Sequence, residues 1–208
     1  MKKKMIVVGA SGHAKVIIDI LKGQGIYEIV GCTNTTGSGE DIEGVPIVGN
    51  DENLPNLINK GIHHAFIAIG DNQVRKNIFF KLEKMGFQFV NAISSFSYIA
   101  QSAKLGTGVA IMPGAVINAQ TNIADNVIIN TGATIDHDNI ISDHSHVAPG
   151  CNLAGNVIVE EGAFLGTGTK VIPKITIGKW ATVGAGSVVI KDVDSFAKVI
   201  GVPAKNLN

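Results

Sequence analysis

The chain lacks an excess of charge of either sign. Its 208 residues carry 17 Lys and Arg against 17 Asp and Glu, a formal net charge of zero. The basic residues are scattered, so the positive stripe that nucleic-acid binding requires is missing. Long apolar runs are missing too. No stretch approaches the length of a membrane span, and the run from Met5 to Val8 is too short for a secretory signal before Gly, Ser and His follow. A soluble, cytoplasmic protein with no membrane or nucleic-acid partner is expected. Cysteine is scarce: Cys32 and Cys151 have no metal-ligand spacing and are expected to be reduced and structural.

What the chain has in abundance is a period. From Ile93 an aliphatic residue stands at every sixth position, through Ile99, Leu105 and Ile111, without a miss to Val183 and Val189. A period of six fits neither an α-helix nor a flat strand ladder; it is the signature of hexapeptide repeats in a parallel β-helix. Three hexads close a triangular coil of about eighteen residues whose aliphatic side chains point inward and stack on the neighbouring coils. Two residues before each anchor the chain is mostly small or β-branched, as at Ala103, Ala133, Ser145, Cys151 and Ala163. These positions are expected to let the prism turn its corners. Burying one aliphatic side chain contributes roughly 1.5–3 kcal/mol, against roughly 1–2 kcal/mol per residue for ordering the backbone. The stable unit must therefore be the stack and not the coil.

Before the repeat the pattern changes to alternating strand and helix. Strands are expected at 5–8, 29–32 and 65–69, and helices at 14–21 and 72–85, where Val74, Ile78, Leu82 and Met85 recur at helical spacing. This describes a small α/β, Rossmann-like domain over residues 1–92, followed by a left-handed parallel β-helix with a C-terminal tail over 93–208. The turn Gly9-Ala10-Ser11-Gly12-His13-Ala14-Lys15 joins a strand to a helix, where glycines permit close backbone approach and the helix amino terminus favours an anion. It is not the dinucleotide fingerprint, because the spacing is Gly-x-x-Gly and Thr33 and Asn34 stand where a carboxylate would end the second strand. A tight turn without a ligand is the plainer alternative. Gly70-Asp71-Asn72-Gln73-Val74-Arg75 supplies a second polar turn at the same expected sheet edge, and 33–44 is a candidate flexible flap over it.

Six histidines occur. His63 and His64 precede a strand and are expected to be solvated, and His144 falls near a corner. His137, inside Asp136-His137-Asp138, follows the anchor Ile135 by two residues and is expected at an outward-facing corner. A neighbouring carboxylate can fix the tautomer of an exposed imidazole and raise its basicity, which a general base near neutral pH requires; a merely solvated polar corner is the competing reading. His146 lies nine residues on, half a coil round the prism. A zinc site from His137, His144 and His146 would need three imidazoles to converge, and their spacings do not follow the coil. An ice-binding or purely structural prism would need Thr-x-Thr in every coil, whereas Thr167-Gly168-Thr169 is a single occurrence.

These motifs, taken in order, resemble the nucleotide-amino-sugar acetyltransferases of the sialic-acid O-acetyltransferase and bacillosamine-pathway N-acetyltransferase type. The matching stretches are 9–13, 66–72 with Arg75, 111–113, 116–119, 129–131, 135–138, 145–147, 154–157 and the closing Gly-Val-Pro-Ala-Lys at 201–205. The resemblance implies a homotrimer that uses acetyl-CoA, without a metal, to acetylate the 4-amino group of a UDP-linked 4-amino-4,6-dideoxy sugar by direct transfer. O-acetylation of a sialic acid is the alternative. It implies His137 as general base with Asp138 as its carboxylate partner. Asn130 and His146 would line the acetyl-transfer site, Thr167 and Ala185 would present backbone to coenzyme A, and Ser11, Gly12 and His13 would hold the nucleotide, with Asn34, Gly70 and Asn72 on the substrate side. The acidic pair with which relatives hold uridine is replaced here by Asn34 and Thr35.

Overall fold

A computed structural model describes residues 2–207, which fall into two compact units that divide between Ser95 and Phe96. The first is a parallel sheet with helices. Strand β1 (Lys3–Val8) is followed by α1 (Gly12–Gln24), β2 (Tyr27–Thr33), α2 (Leu54–Asn59), β3 (His64–Ile67), α3 (Asn72–Lys84) and β4 (Gln88–Phe89). The sheet order is β2-β1-β3-β4, all parallel. Met5 to Val8 are all buried, as a parallel strand covered on both faces should be. Alternation sends Ile6 and Val8 into a cluster with Leu54, Leu57, Phe79 and Leu82. Order 2-1-3 reverses direction at β1, so a crevice opens at the carboxyl ends of β1 and β3.

The element boundaries differ from the expected ones for local reasons. Helix α1 begins two residues earlier than its apolar spacing suggests, because Ser11 leaves the chain extended at the cap, and it runs on to Gly25, whose left-handed φ of 66° stops it. Helix α2 escapes the sequence pattern: it is six residues long, buries only Leu54 and Leu57, and carries Pro in its first turn, where a missing N–H costs nothing. His64 does not precede the third strand as a solvated residue but begins it, its ring packed on Tyr27 at 5.4 Å between centroids.

The second unit is the left-handed parallel β-helix that the period predicts. Two-residue strands end on the anchors and form three prism faces, running through Asn122–Ile123, Ile128–Ile129 and Thr134–Ile135. Each pairs in parallel with the strand one coil on, as Asn122 with Ile140, Ile128 with His146 and Thr134 with Asn152. Most anchors, among them Ile111, Ile135, Ile141 and Leu165, have no exposed surface. At the far end Lys198–Ile200 adds to one face and Lys205–Asn206 folds back antiparallel on it.

The corners are not turned where the small residues suggest. Three residues before every anchor from Ile111 to Val189 the backbone is left-handed, with φ between 56° and 74°, at Gly108, Gly114, Gln120, Asn126, Gly132, Asp138, His144 and onward to Trp180 and Gly186. That residue makes the corner. The small residue after it, such as Ala133, Ser145 or Ala163, is fully buried, so its size serves the packing of the prism interior. Glycine, asparagine and aspartate populate the corner column because they tolerate positive φ. At Gly162 glycine is needed twice over: φ is 68°, and an added Cβ would lie 2.4 Å from the Trp180 ring stacked on it.

Among the described residues no helix is long and apolar enough to cross a membrane. Replacing the buried anchor Leu165 by alanine should cost about 2–5 kcal/mol through lost transfer energy and a residual cavity. Denaturant titration measures this; a change near zero would mean that the prism interior collapses round the gap.

Candidate functional site

His137 stands at the corner after the strand Thr134–Ile135, with 54% of its side chain exposed. Its Nδ1 lies 2.7 Å from Oδ2 of Asp138, the corner residue itself, whose φ is 59°. With Nδ1–H donated to that carboxylate, the Nε2 lone pair is left for a ligand. Oδ1 of Asp136 accepts the His137 N–H at 2.9 Å and the Asn118 amide at 3.0 Å. The bond to Asp138 raises the His137 pKa above the ordinary histidine value, and the charge of Asp136 adds to it. The two bonds that Asp136 accepts lower its own pKa, so it stays ionised.

Two further residues shape this corner. Asn139, fully buried, donates through Nδ2 to the carbonyls of Asp136 and Ala154 and more weakly to His137, while its Oδ1 accepts the Val157 N–H. It pins the backbone on both sides of the histidine. Gly155, one coil beyond His137, leaves the space in which the imidazole lies: an added Cβ would sit 2.6 Å from Cε1 and 2.7 Å from Nε2. Asn139 could have been found in the sequence as an amide in a column of small residues. Gly155 carries no such mark.

His146 is on a different prism face. Its Nε2 is 3.1 Å from Nδ2 of Asn130, and its ring meets Phe164 edge-on at 5.3 Å. The structure thus joins Asn130 with His146, and His137 with Asp138, but puts the two pairs on separate faces of one chain. His144 is buried at its own corner and pairs with Asn126 at 2.8 Å, so the three imidazoles take three different partners and do not converge. Thr167 and Ala185 are exposed corner neighbours one coil apart, the Thr167 carbonyl accepting the Gly186 N–H. Beside Asp136 a groove of about 670 Å³ runs along one face, with Asn118, Thr134, Asn152 and Lys170 in its wall.

In the first unit a cavity of about 460 Å³ opens at the carboxyl ends of β1 and β2, lined by Gly9, Ala10, Ser11, Thr33, Asn34, Thr35 and Asp51 with Ile69, Val74 and Ile78. Of the expected substrate-side residues, Ser11 and Asn34 are in its wall. Gly12 has nothing within 4 Å of a built Cβ, which leaves the helix amino terminus open. Gly9, by contrast, is required by its own chain: a Cβ there would meet the Ala68 carbonyl at 2.7 Å. Gly70 and Asn72 serve buried Arg75, whose guanidinium donates to the carbonyls of Ile69 and Gly70 and to Oδ1 of Asn72. Burial, with the Arg75 charge second, pushes the pKa of His13 down to about 4, so the ring is neutral; among the described residues none bonds its buried Nε2. Nothing in the local sequence distinguishes Asp51.

Comparison with known proteins agrees with this picture. Residues 4–82 match the PglD N-terminal domain family. PerB from Caulobacter crescentus, solved with CoA and GDP-perosamine, is 42% identical, with a TM-score of 0.95 over 100% of this chain and 98% of that one. The acetyltransferase domain of PglB from Neisseria gonorrhoeae, solved with acetyl coenzyme A, is 32% identical, with a TM-score of 0.94 and full coverage of both chains. WeeI from Acinetobacter baumannii is 28% identical, with a TM-score of 0.90 over 99% of this chain and all of that one. An uncharacterised protein of Acanthamoeba polyphaga mimivirus is 32% identical over 119 residues, and the chain spans 23% of that curated relative.

Two histidines should titrate in opposite directions. In an NMR pH titration the His137 ring is expected to change above the ordinary histidine range and to move down in Asp138→Asn, while His13 changes near pH 4. An unshifted His137 would remove the carboxylate from its support.

Proposed function

The chain belongs to the nucleotide-amino-sugar acetyltransferases of the hexapeptide-repeat family, and from that premise we propose that it moves the acetyl group of acetyl-CoA directly onto the 4-amino group of a nucleotide-linked 4-amino-4,6-dideoxy sugar, with His137 as general base. The observation that carries this reading is the 2.7 Å contact of His137 Nδ1 with Asp138, which orients Nε2 and strengthens it as a base. The neutral amine attacks the thioester carbonyl carbon, its surplus proton passes to Nε2, and collapse expels the CoA thiolate, which takes that proton. No acyl-enzyme is needed. Placing the amine against the thioester and stabilising the developing oxyanion supply most of the rate, and the base adds about a hundred- to ten-thousandfold.

The substrate side rests on the first unit. Ser11, Gly12 and the neutral His13 at the amino terminus of α1 would hold the diphosphate, where open backbone and the helix dipole favour an anion. Uridine is what the family resemblance implies; PerB, solved with GDP-perosamine, supports guanosine in its place. N-transfer is favoured over O-acetylation of a sialic acid because the similar Caulobacter crescentus enzyme is a perosamine N-acetyltransferase. In the homotrimer that the family implies, the face carrying Asn130 and His146 in one subunit would meet the His137 corner of its neighbour, with Thr167 and Ala185 offering backbone to coenzyme A. That arrangement is supported by the separation of the two pairs within one chain.

The direct test is acetyl-CoA-dependent thiol release with GDP- and UDP-linked 4-amino-4,6-dideoxyhexoses and free sialic acid; release with sialic acid alone would overturn N-transfer. His137→Ala should lower kcat about a hundred- to ten-thousandfold and leave acetyl-CoA affinity nearly intact; full turnover would exclude it as the base. Gly155→Ala, by pushing the ring from its place, should lower kcat by up to about a hundredfold. The sign of the pH effect follows from the raised pKa. His137 is cationic and inactive as a base at low pH, so kcat falls as pH drops through that pKa. Asp138→Asn lowers the pKa and should move this acidic limb to lower pH. A limb that stays in place would assign it to another group.

A further inference from the structure

The cavity of the first unit combines three chemistries: an open helix amino terminus at Ser11, an apolar side made by Ile69, Val74 and Ile78, and a polar group at the end of β2. Val74 is 46% exposed in the first turn of α3, a large apolar surface that folding leaves uncovered and that suits the flat face of a base. The sequence points to Asn34 as the reader of that base. Its amide is otherwise engaged: Oδ1 accepts the Gly37 N–H at 2.6 Å and the Thr36 hydroxyl at 3.2 Å, and Nδ2 donates to the Ser38 carbonyl at 2.9 Å. Asn34 closes its own loop, and its amide is turned towards Gly37 and Ser38.

Asp51 is the carboxylate in the cavity wall. It begins a single 3-10 turn, Asp51–Asn53, held by Asn50, whose side chain accepts the Glu52 N–H. The Thr33 hydroxyl at the end of β2 donates to Asp51 Oδ1 at 3.3 Å, which steadies the carboxylate and uses one of its roughly four acceptor positions. A carboxylate can only accept. Guanine offers it a ring N–H and an exocyclic amine side by side, two parallel donors for two oxygens. Uracil offers a single N–H between two carbonyl oxygens, so a carboxylate accepts one hydrogen bond from it where it accepts two from guanine.

Resting on the proposed use of a nucleotide-linked sugar, we infer that Asp51 is the base-reading residue of this cavity and that it selects guanosine over uridine diphosphate. Thr33 is its positioning partner, and Val74 and Ile78 cover the face of the base.

The test is calorimetric binding of GDP, inosine diphosphate and UDP to the full chain. Inosine diphosphate differs from GDP only in lacking the exocyclic amine, so GDP should bind about ten- to a hundredfold more tightly, the discrimination usual for a two-bond base contact, and UDP should bind more weakly than GDP. Asp51→Asn, nearly the same in shape, should reduce the gap between GDP and inosine diphosphate to within about twofold, since the two parallel acceptors are gone. Equal binding of GDP and inosine diphosphate by the parent chain overturns the assignment even if the variant does not fold, and so does a gap that survives in the variant. Acetyl transfer to a GDP-linked 4-amino sugar is followed separately. Its absence beside an intact GDP preference would sink the transfer reaction and leave Asp51 as the reader of the base.

Discussion

Stacking of each residue on its counterpart eighteen positions away governs the second unit. It makes the backbone ladders, and it also decides which polar side chains meet. The Asn118 amide donates to Asp136, the Asn152 amide to the Thr134 hydroxyl, and Asn126 pairs with His144, each across one coil. Asp125 accepts the Thr107 N–H while Asp143 accepts that of Asp125. Buried polar groups in such a stack are satisfied by repetition, which a single coil could not provide. The same constraint sets the chemistry of the corner at His137. What lies over the imidazole is fixed by position 155, and there the chain has the one residue that leaves room for a ring.

This explains why the fold was so legible and the site less so. A six-residue period survives any choice among isoleucine, leucine and valine, so the prism could be read from one kind of position. The corner column is written in the sequence as well, in the glycines and asparagines that recur three residues before the anchors, but the small buried column beside it is the more regular of the two. Asp138 belongs to both descriptions at once. Its left-handed backbone is a demand of the corner, and its carboxylate is the partner of His137. The carboxylate that meets His137 thus stands on a position where the fold already tolerates an acid.

In the first unit the strand-to-helix turn was visible but its glycines were not interchangeable. Gly9 is held by the Ala68 carbonyl and Gly12 faces open space, a distinction that depends on the packing of β3 and not on the Gly-x-x-Gly spacing. Asn72 and Asn34 read alike as polar residues at a ligand edge. One is engaged by Arg75 and the other closes a loop. Asp51 reaches the end of β2 only because the segment near Ile47 lies alongside Cys32, with the Val48 N–H donating to the Cys32 carbonyl at 2.9 Å, and no local pattern records that return.

The two units treat histidine in opposite ways. His13 is driven neutral by burial and by the Arg75 charge, so near neutral pH it can meet a diphosphate or sugar as a donor or an acceptor without adding a cation. His137 is half exposed, and burial contributes little; its basicity comes from the carboxylates on either side of it in sequence. Basicity obtained from neighbouring charge leaves Nε2 accessible, whereas burial would have lowered the pKa and closed the approach. For the proposed transfer a base has to be both strong and reachable, and a carboxylate-flanked histidine on a prism corner has both properties.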